Sequence, residues 1–484
     1  MEVFSPTFAG PEPVQSMNSP SKASEPLSLH SPSVTLPLRF VLTGVLALFT
    51  GVIWLVLRPD ILATYHYNQY VIAVTHLFTL GWITSIVMGA MYQLVPVALE
   101  TRLYSERLAR WHYVLHVIGF VGMVWMFWRW DMKQVGHFGS VLALGVGLFV
   151  YNIARTLKRI PRWNVIAAAI TSALFWLSLA VLAGLTIAAA KCAYDDTPQS
   201  TAAQAVAPVL AGLKALAGFL GRFDQIGAMH AHAHLGGIGV FLMLIVGISY
   251  KLMPMFALSE VQSNRRTWWS IGLLNVGLLG LFFTVLMSSV WKLAFALVVM
   301  TGLAVYGWEL AAILRARKRR SLDWGLKYFL TALALLVPLA ILAVILSWPN
   351  LPRNAFTGQL ENLYGFLAFI GVITFAILGM LYKIVPFLVW YVSYSREIGR
   401  CKVPALADLY SPRLQAAGYW MFVAGLAATS VTIVLSNERA VQWSCALLAG
   451  SLFIFALNVG AMLRHLLRPR IEPLILQPAM GRSQ

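Results

Sequence analysis

Long apolar stretches alternate with short polar segments along almost the whole chain. Twelve of them are long enough to cross about 30 Å of hydrocarbon as helices, near residues 39–58, 69–97, 111–130, 137–155, 165–190, 228–256, 267–288, 291–314, 326–348, 360–391, 413–435 and 440–466. Residues 1–38 are rich in serine and proline and predict a disordered cytoplasmic tail, and residues 467–484 a second cytoplasmic tail. The pattern therefore predicts an all-α, polytopic membrane protein.

Composition agrees with a chain embedded in lipid. Of its 484 residues 59% are hydrophobic and 11% are charged, and the mean hydropathy is +0.74, which is too apolar for a soluble protein. The net charge of +18 does not indicate nucleic acid as a partner, because Lys and Arg lie in short loops between apolar runs. The lipid bilayer is the expected partner instead.

The loop cations predict the orientation, because Lys and Arg are retained on the cytoplasmic side of a membrane. With the N-terminus inside, the inner loops and the C-terminal tail hold 23 of these cations and the outer loops hold 9. An even number of helices then places both termini in the cytoplasm. We expect a multi-pass protein of a bacterial-type inner membrane.

Three of the predicted helices, the second, sixth and tenth, share the motif X-x4-Gly-x7-Gly-x2-Tyr-x3-Pro. Its positions are His76, Gly81, Gly89, Tyr92 and Pro96; His234, Gly239, Gly247, Tyr250 and Pro254; and Phe366, Gly371, Gly379, Tyr382 and Pro386. Because the copies fall on every fourth helix, we predict three pseudo-symmetric four-helix units, at about 39–155, 165–314 and 326–466. We interpret the Gly, Tyr and Pro positions as packing features, which leaves the head position for chemistry.

Histidine heads two copies of the motif, as His76 and His234. Ionisable groups inside a membrane are costly and usually have a partner, and equivalent positions place these two imidazoles at one depth, near the outer face. Such a pair suits the ligation of haem between helices. The alternative is that each histidine only satisfies hydrogen bonds.

The sixth helix carries two more histidines in the run MHAHAHL, namely His230 and His232. Alternate helical residues point about 200° apart, so His232 and His234 could serve two different prosthetic groups. His230 and His234, at i and i+4, share a face, and the three histidines together are a candidate metal site. His112 and His116 on the third helix are another candidate pair, with interfacial polar residues as the preferred reading.

Four other polar residues are less specific. We expect His66 and His137, at the outer ends of the second and fourth helices, to be solvated loop residues. Glu309 and Glu361 are the acids expected at or near membrane depth, where either could belong to a proton path. The three cysteines form no C-x-x-C-H motif, so covalently attached c-type haem is not indicated.

The run HAHLGGIGV, followed by Gly-x2-Tyr-x-Leu-x-Pro, resembles the catalytic subunit I of haem-copper oxidases, especially the cbb-type cytochrome c oxidases. The resemblance implies b-type haem and copper as cofactors, and cytochrome c or other redox subunits as partners. It also implies that His232 ligates a high-spin haem and that His234 and His76 ligate a low-spin haem. Electron transfer, or chemistry of oxygen or nitric oxide, would follow.

The sequence departs from the oxidase pattern at two places. The seventh helix lacks the histidines that complete the oxidase copper site, and the tenth has Phe366 and Tyr364 where the sixth has His234 and His232. The chain therefore resembles more closely the NnrS-type haem and copper membrane proteins of the nitric oxide response, and an oxidase or nitric oxide reductase activity is left open. The alternatives are a twelve-helix transporter or metal-handling protein and a sensor or assembly factor without chemistry.

Overall fold

The computed structural model describes residues 34–191, 221–319 and 321–473, together with positions 207, 208, 211, 212, 215, 218 and 219. Most of both predicted tails lies outside the described residues. In the described part, twelve helices are long and apolar enough to span a membrane: α1 (Thr35–Leu57), α2 (Gln69–Ala98), α3 (Glu106–Arg129), α4 (Met132–Leu157), α5 (Val165–Lys191), α6 (Gln225–Ala257), α7 (Asn264–Leu286), α8 (Lys292–Arg315), α9 (Trp324–Ser347), α10 (Ala355–Glu397), α11 (Pro412–Val434) and α12 (Glu438–Leu467). The predicted all-α membrane fold and its twelve helices are confirmed.

Two helices, α3 and α4, begin several residues before the position that the apolar pattern predicts, and each begins at a capping residue. The side chain of Ser105 accepts a hydrogen bond from the Leu108 amide and begins α3, and Asp131 does the same for the Gln134 amide at the start of α4. The apolar runs were expected from residues 111 and 137. The apolar pattern does not include these first turns, because polar residues interrupt them. They are helical because the capping side chain accepts a hydrogen bond from an amide that has no partner within the helix.

Short elements connect some of the helices. A helical turn, Asp60–Ala63, lies between α1 and α2, and a 3-10 turn, Leu406–Leu409, lies between α10 and α11. Two strands, β1 (Cys401–Lys402) and β2 (Glu472–Pro473), pair antiparallel and tie the α10–α11 connection to the segment after α12.

The contacts between helices repeat with a period of four. Helix α1 packs on α2, α5 on α6 and α9 on α10, while α3 packs on α4, α7 on α8 and α11 on α12. Contacts of α4 with α5, of α8 with α9 and of α12 with α1 link these groups. Three four-helix units in a ring would give this pattern; the units and their boundaries stay a prediction.

A buried polar side chain recurs at one place in this repeat. Its oxygen accepts the backbone N–H of the serine that caps the preceding helix, in each case at 3.0 Å. The three pairs are Asn152 with Ser105, Glu309 with Ser263, and Asn458 with Ser411. Glu309 also accepts the Gln262 amide at 2.6 Å and Arg266 Nε at 2.6 Å, and its side chain is fully buried. These bonds give Glu309 a structural role at the start of α7.

The second glycine of each motif copy lies where another helix passes closely. A Cβ added at Gly89 would lie 2.5 Å from Phe40 Cβ, one at Gly247 would lie 2.2 Å from Ala169 Cβ, and one at Gly379 would lie 2.6 Å from the Gly325 carbonyl oxygen. Any larger residue would force α2, α6 or α10 away from α1, α5 or α9. The interpretation of these glycines as packing positions is confirmed.

Each motif helix changes its hydrogen-bond pattern directly after the head residue. The π-helical segments Leu77–Thr84, Leu235–Leu242 and Leu367–Thr374 begin one residue after His76, His234 and Phe366. The segments of α2 and α6 both contact that of α10, and Trp82 Nε1 donates to Thr374 Oγ1 at 2.9 Å. Segments of this kind are uncommon and occur frequently at functional sites.

We predict that Gly247→Ala lowers the free energy of unfolding by about 1–3 kcal/mol, because the added methyl group overpacks the contact with Ala169. The matched control is Gly272→Ala in α7, where an added Cβ meets nothing within 4 Å. This control should be neutral or slightly stabilising, since alanine favours helix. Thermal unfolding in detergent measures both, and equal effects of the two variants would contradict the packing role.

We also predict that Glu309→Ala destabilises the protein by about 3 kcal/mol, because it leaves the partly buried Arg266 and two backbone amides without their acceptor. The exposed neighbour Glu260 provides the control: Glu260→Ala should change stability by less than about 0.5 kcal/mol. Denaturant unfolding in micelles tests this, and wild-type stability of Glu309→Ala would rule out the structural role.

Candidate functional site

A cavity of about 1160 Å³ lies where α2, α6 and α10 begin, at the end predicted to be extracytoplasmic. Its size is slightly above the range of about 300–1,000 Å³ typical of ligand pockets. Most of its wall is apolar. Its polar lining includes five histidines, two acids, three tyrosines and three cations: His66, His76, His230, His232, His234, Asp224, Glu361, Tyr65, Tyr67, Tyr364, Lys191, Lys292 and Arg353. The structure thus gathers the sequence-predicted haem candidates at one cavity.

His76 and His234 are held in the same way. Nδ1 of His76 lies 2.8 Å from the Ile72 carbonyl oxygen, and Nδ1 of His234 lies 2.7 Å from the His230 carbonyl oxygen. A carbonyl oxygen can only accept, so each Nδ1 carries the proton and donates it. Each Nε2 is then left with a free lone pair, which is the state in which imidazole binds a metal ion.

The rings of these two histidines rest on different neighbours. His76 packs against Phe127 of α3, with ring centroids 4.6 Å apart, and His234 against Tyr364 of α10, with centroids 6.1 Å apart. Both aromatic contacts are nearly parallel, with interplanar angles of 28°. The aromatic rings restrict how each imidazole can rotate.

His232 faces His76 across the cavity. Their rings are nearly parallel, with an interplanar angle of 18° and centroids 6.4 Å apart. Nδ1 of His232 is buried and has no hydrogen-bond partner, and Gly184 of α5 makes room for the ring, since an added Cβ there would lie 3.1 Å from His232 Cε1. His232 and His234 therefore point to different helices, as the helical periodicity predicts.

The three histidines of α6 do not converge. While His232 lies beside His76 and His234 beside Tyr364, Nε2 of His230 lies 3.0 Å from Nε2 of His66. The predicted metal site formed by His230, His232 and His234 therefore gains no support from the ring positions. Among the described residues, the group close enough to hold an ion consists of His66, His230 and Glu361.

His66 differs most from its expected environment. Its side chain is only 12% exposed, and its Nδ1 lies 3.5 Å from a Glu361 carboxylate oxygen. Burial lowers the pKa of His66 to about 4, so the imidazole is neutral at pH 7. The expectation of a solvated loop residue is wrong for His66. His137 is exposed as expected, but it lies in helix α4 and not in a loop.

His112 and His116 are fully buried rather than interfacial. His112 Nδ1 lies 2.9 Å from the Tyr92 hydroxyl and His116 Nε2 lies 2.9 Å from the Ser85 hydroxyl, so both join α3 to α2. The second nitrogen of each ring, Nε2 of His112 and Nδ1 of His116, has no hydrogen-bond partner. A metal site at this pair stays a prediction, and neither ring lines the cavity described above.

Comparison with known proteins finds similarity over one part of the chain. Residues 27–130 match the family model of cytochrome c and quinol oxidase polypeptide I. A curated relative, the bacteroid cytochrome c oxidase subunit 1 homolog of Bradyrhizobium diazoefficiens, is 30% identical over 105 residues, which are 22% of this chain and 19% of the relative. The chain thus matches about a fifth of that relative's length, and over this part of the chain the matches support the predicted resemblance to subunit I of haem-copper oxidases.

The family match covers α1 to α3 and therefore includes His76. The run that contains His230, His232 and His234 lies outside residues 27–130. The fold brings the two regions together at one cavity. Sequence reasoning missed the pairing of His66 with His230 and Glu361, although all three were expected near the outer ends of their helices and that common depth was the available signal.

Proposed function

We propose that the protein binds haem in the cavity between α2 and α6, and that it acts in electron transfer or in the chemistry of oxygen or nitric oxide. The observation that carries this proposal is the common arrangement of His76 and His234. Both have an anchored Nδ1 and a free Nε2 lone pair at the same cavity. Haem, when bound there, supplies an iron that exchanges single electrons or binds a diatomic gas.

The cavity suits a flat macrocycle with acidic substituents. An added Cβ at Gly236, Gly237 or Gly365 would meet nothing within 4 Å, so these three cavity-lining glycines border open space. Lys191, Lys292 and Arg353 lie among the lining residues and provide positive charge for carboxylate groups. Nδ1 of His232 is buried without a hydrogen-bond partner. A bound metal-containing group would supply that missing partner.

The protein's own residues would perform three tasks. His76 and His234 would hold the iron, with the Ile72 and His230 carbonyls fixing the tautomer and orientation of each ring. Phe127 and Tyr364 would restrict ring rotation. The apolar wall would exclude water and so adjust the redox potential of the group. Copper as a second cofactor, and cytochrome c or further redox subunits as partners, are proposed only on the similarity to haem-copper oxidases.

We predict that the protein purified from haem-replete cells shows a Soret band, and that His76→Ala and His234→Ala each remove most of it. His137→Ala is the matched control, because His137 is exposed and lies outside the cavity, and it should leave the spectrum unchanged. Visible spectra and haem content per chain provide the readout.

The outcome for His232→Ala distinguishes two ligand pairs. If haem is held by His76 and His234, the band persists in His232→Ala; loss of the band in His232→Ala with retention in His234→Ala would assign the ligands to His76 and His232 instead. A colourless wild-type protein from haem-replete cells would contradict haem binding.

We also propose that both termini are cytoplasmic, as the distribution of Lys and Arg indicates. A green fluorescent protein fused after residue 484 should fluoresce, because that reporter folds inside the cell. Alkaline phosphatase fused at Ser289, between α7 and α8, should be active, because this reporter requires export. The reverse result at the two positions would overturn the orientation.

A further inference from the structure

The first observation is the short distance between two imidazoles from distant parts of the chain. Nε2 of His66, in the α1–α2 connection, lies 3.0 Å from Nε2 of His230 on α6, and the two rings are stacked with an interplanar angle of 23°. Glu361 of α10 contributes a carboxylate oxygen 3.5 Å from Nδ1 of His66. Three separate elements thus bring three potential metal-binding groups to the cavity.

We propose that His66 and His230 bind a divalent transition-metal ion through their Nε2 atoms, with Glu361 orienting His66. This ion site is separate from the donors assigned to haem and does not require haem to be present. The remaining coordination positions face the cavity, so water or a small ligand can occupy them. Such an open site is typical of metal ions that take part in chemistry, whereas structural ions have closed sites.

The distance between the nitrogens fits coordination to a common ion. With metal–nitrogen bonds of about 2.0–2.1 Å, two ligands at right angles have their nitrogens about 2.9 Å apart, and two ligands at the tetrahedral angle about 3.4 Å apart. The observed 3.0 Å lies between these values. The distance between the two nitrogens therefore allows one ion to bond to both, once each ring turns so that its Nε2 lone pair points to the ion.

The carboxylate explains why Nε2 of His66 can be the ligand. Nδ1 of His66 makes no hydrogen bond in the metal-free protein, and a Glu361 carboxylate oxygen lies 3.5 Å from it. With its proton on this Nδ1, His66 presents the lone pair of Nε2 to His230. A carboxylate behind a ligating histidine is a common arrangement, and it fixes the tautomer of the ring and raises its basicity. In that tautomer His66 Nε2 accepts from His230 Nε2–H in the metal-free protein. On metal binding the proton leaves Nε2 of His230, and His230 carries a proton on Nδ1 instead.

The donor set favours late first-row divalent ions. Imidazole nitrogen suits zinc, copper, iron and nickel, whereas calcium and magnesium prefer oxygen. Affinity at such nitrogen sites is generally highest for Cu²⁺. Cu²⁺ is therefore the most sensitive probe, and its electron paramagnetic resonance spectrum reports the number of bound nitrogens.

The test uses the full chain, purified with a histidine-free affinity tag, stripped with chelator and titrated with Cu²⁺. We expect one Cu²⁺ per chain that survives gel filtration, with a spectrum showing two nitrogen ligands. His66→Ala and His230→Ala should each weaken binding at least 100-fold, and Glu361→Gln should weaken it about 10- to 100-fold. His137→Ala, the exposed histidine at the same end, should bind as the wild type does.

Two further measurements make each result decisive. Apparent Tm values of all variants check that the fold is kept, and the Soret band should persist in His66→Ala, because His66 contributes no group to the proposed haem site. Failure of the haem proposal would leave the copper result unaffected. No binding by the wild type would show that the two imidazoles form only a hydrogen bond, and full binding by both His→Ala variants would place the ion elsewhere; either outcome overturns the proposal.

Discussion

An imidazole within a membrane protein must find a partner for its ring N–H, and the arrangement around the cavity depends on how this chain meets that requirement. The Ile72 and His230 carbonyls accept the Nδ1 protons of His76 and His234. Each acceptor is a backbone carbonyl one turn earlier on the same helix, so neither ring N–H needs a partner across the cavity. Both Nε2 atoms remain available to a ligand, and the apolar wall around them makes that availability costly unless a ligand is bound.

The same local design without histidine occurs in the third motif copy. Helix α10 has the π-helical segment and the close glycine contact of α2 and α6, but Phe366 stands at its head and is buried. Helix α10 instead contributes Tyr364, against which His234 packs, and Glu361, which lies beside His66. In the proposed haem site, two helices would supply ligands and the third would supply groups that position them. This division of roles distinguishes the chain from a scaffold with three equivalent helices.

Hydrophobicity was sufficient to predict the membrane helices, because crossing hydrocarbon requires long apolar runs wherever they occur in the sequence. The fixed motif spacing predicted the close glycine contacts, since Gly89, Gly247 and Gly379 recur at the same position of equivalent helices. The pairing of His66 with His230 could not be predicted, because the two residues are 164 positions apart and a loop residue has no periodicity to indicate its direction. The buried role of Glu309 was missed because its partners, Gln262 and Ser263, act through backbone amides that leave no mark on the sequence.

The central claim is that a haem lies between α2 and α6, held by imidazole from both helices. A cryo-electron microscopy map of the protein purified from haem-replete cells tests this claim most directly. The account predicts density for a planar macrocycle in the cavity, with its metal bonded to Nε2 of His76 and to Nε2 of a histidine on α6. A well-resolved map in which His76 and His234 contact only protein, lipid or water would contradict it.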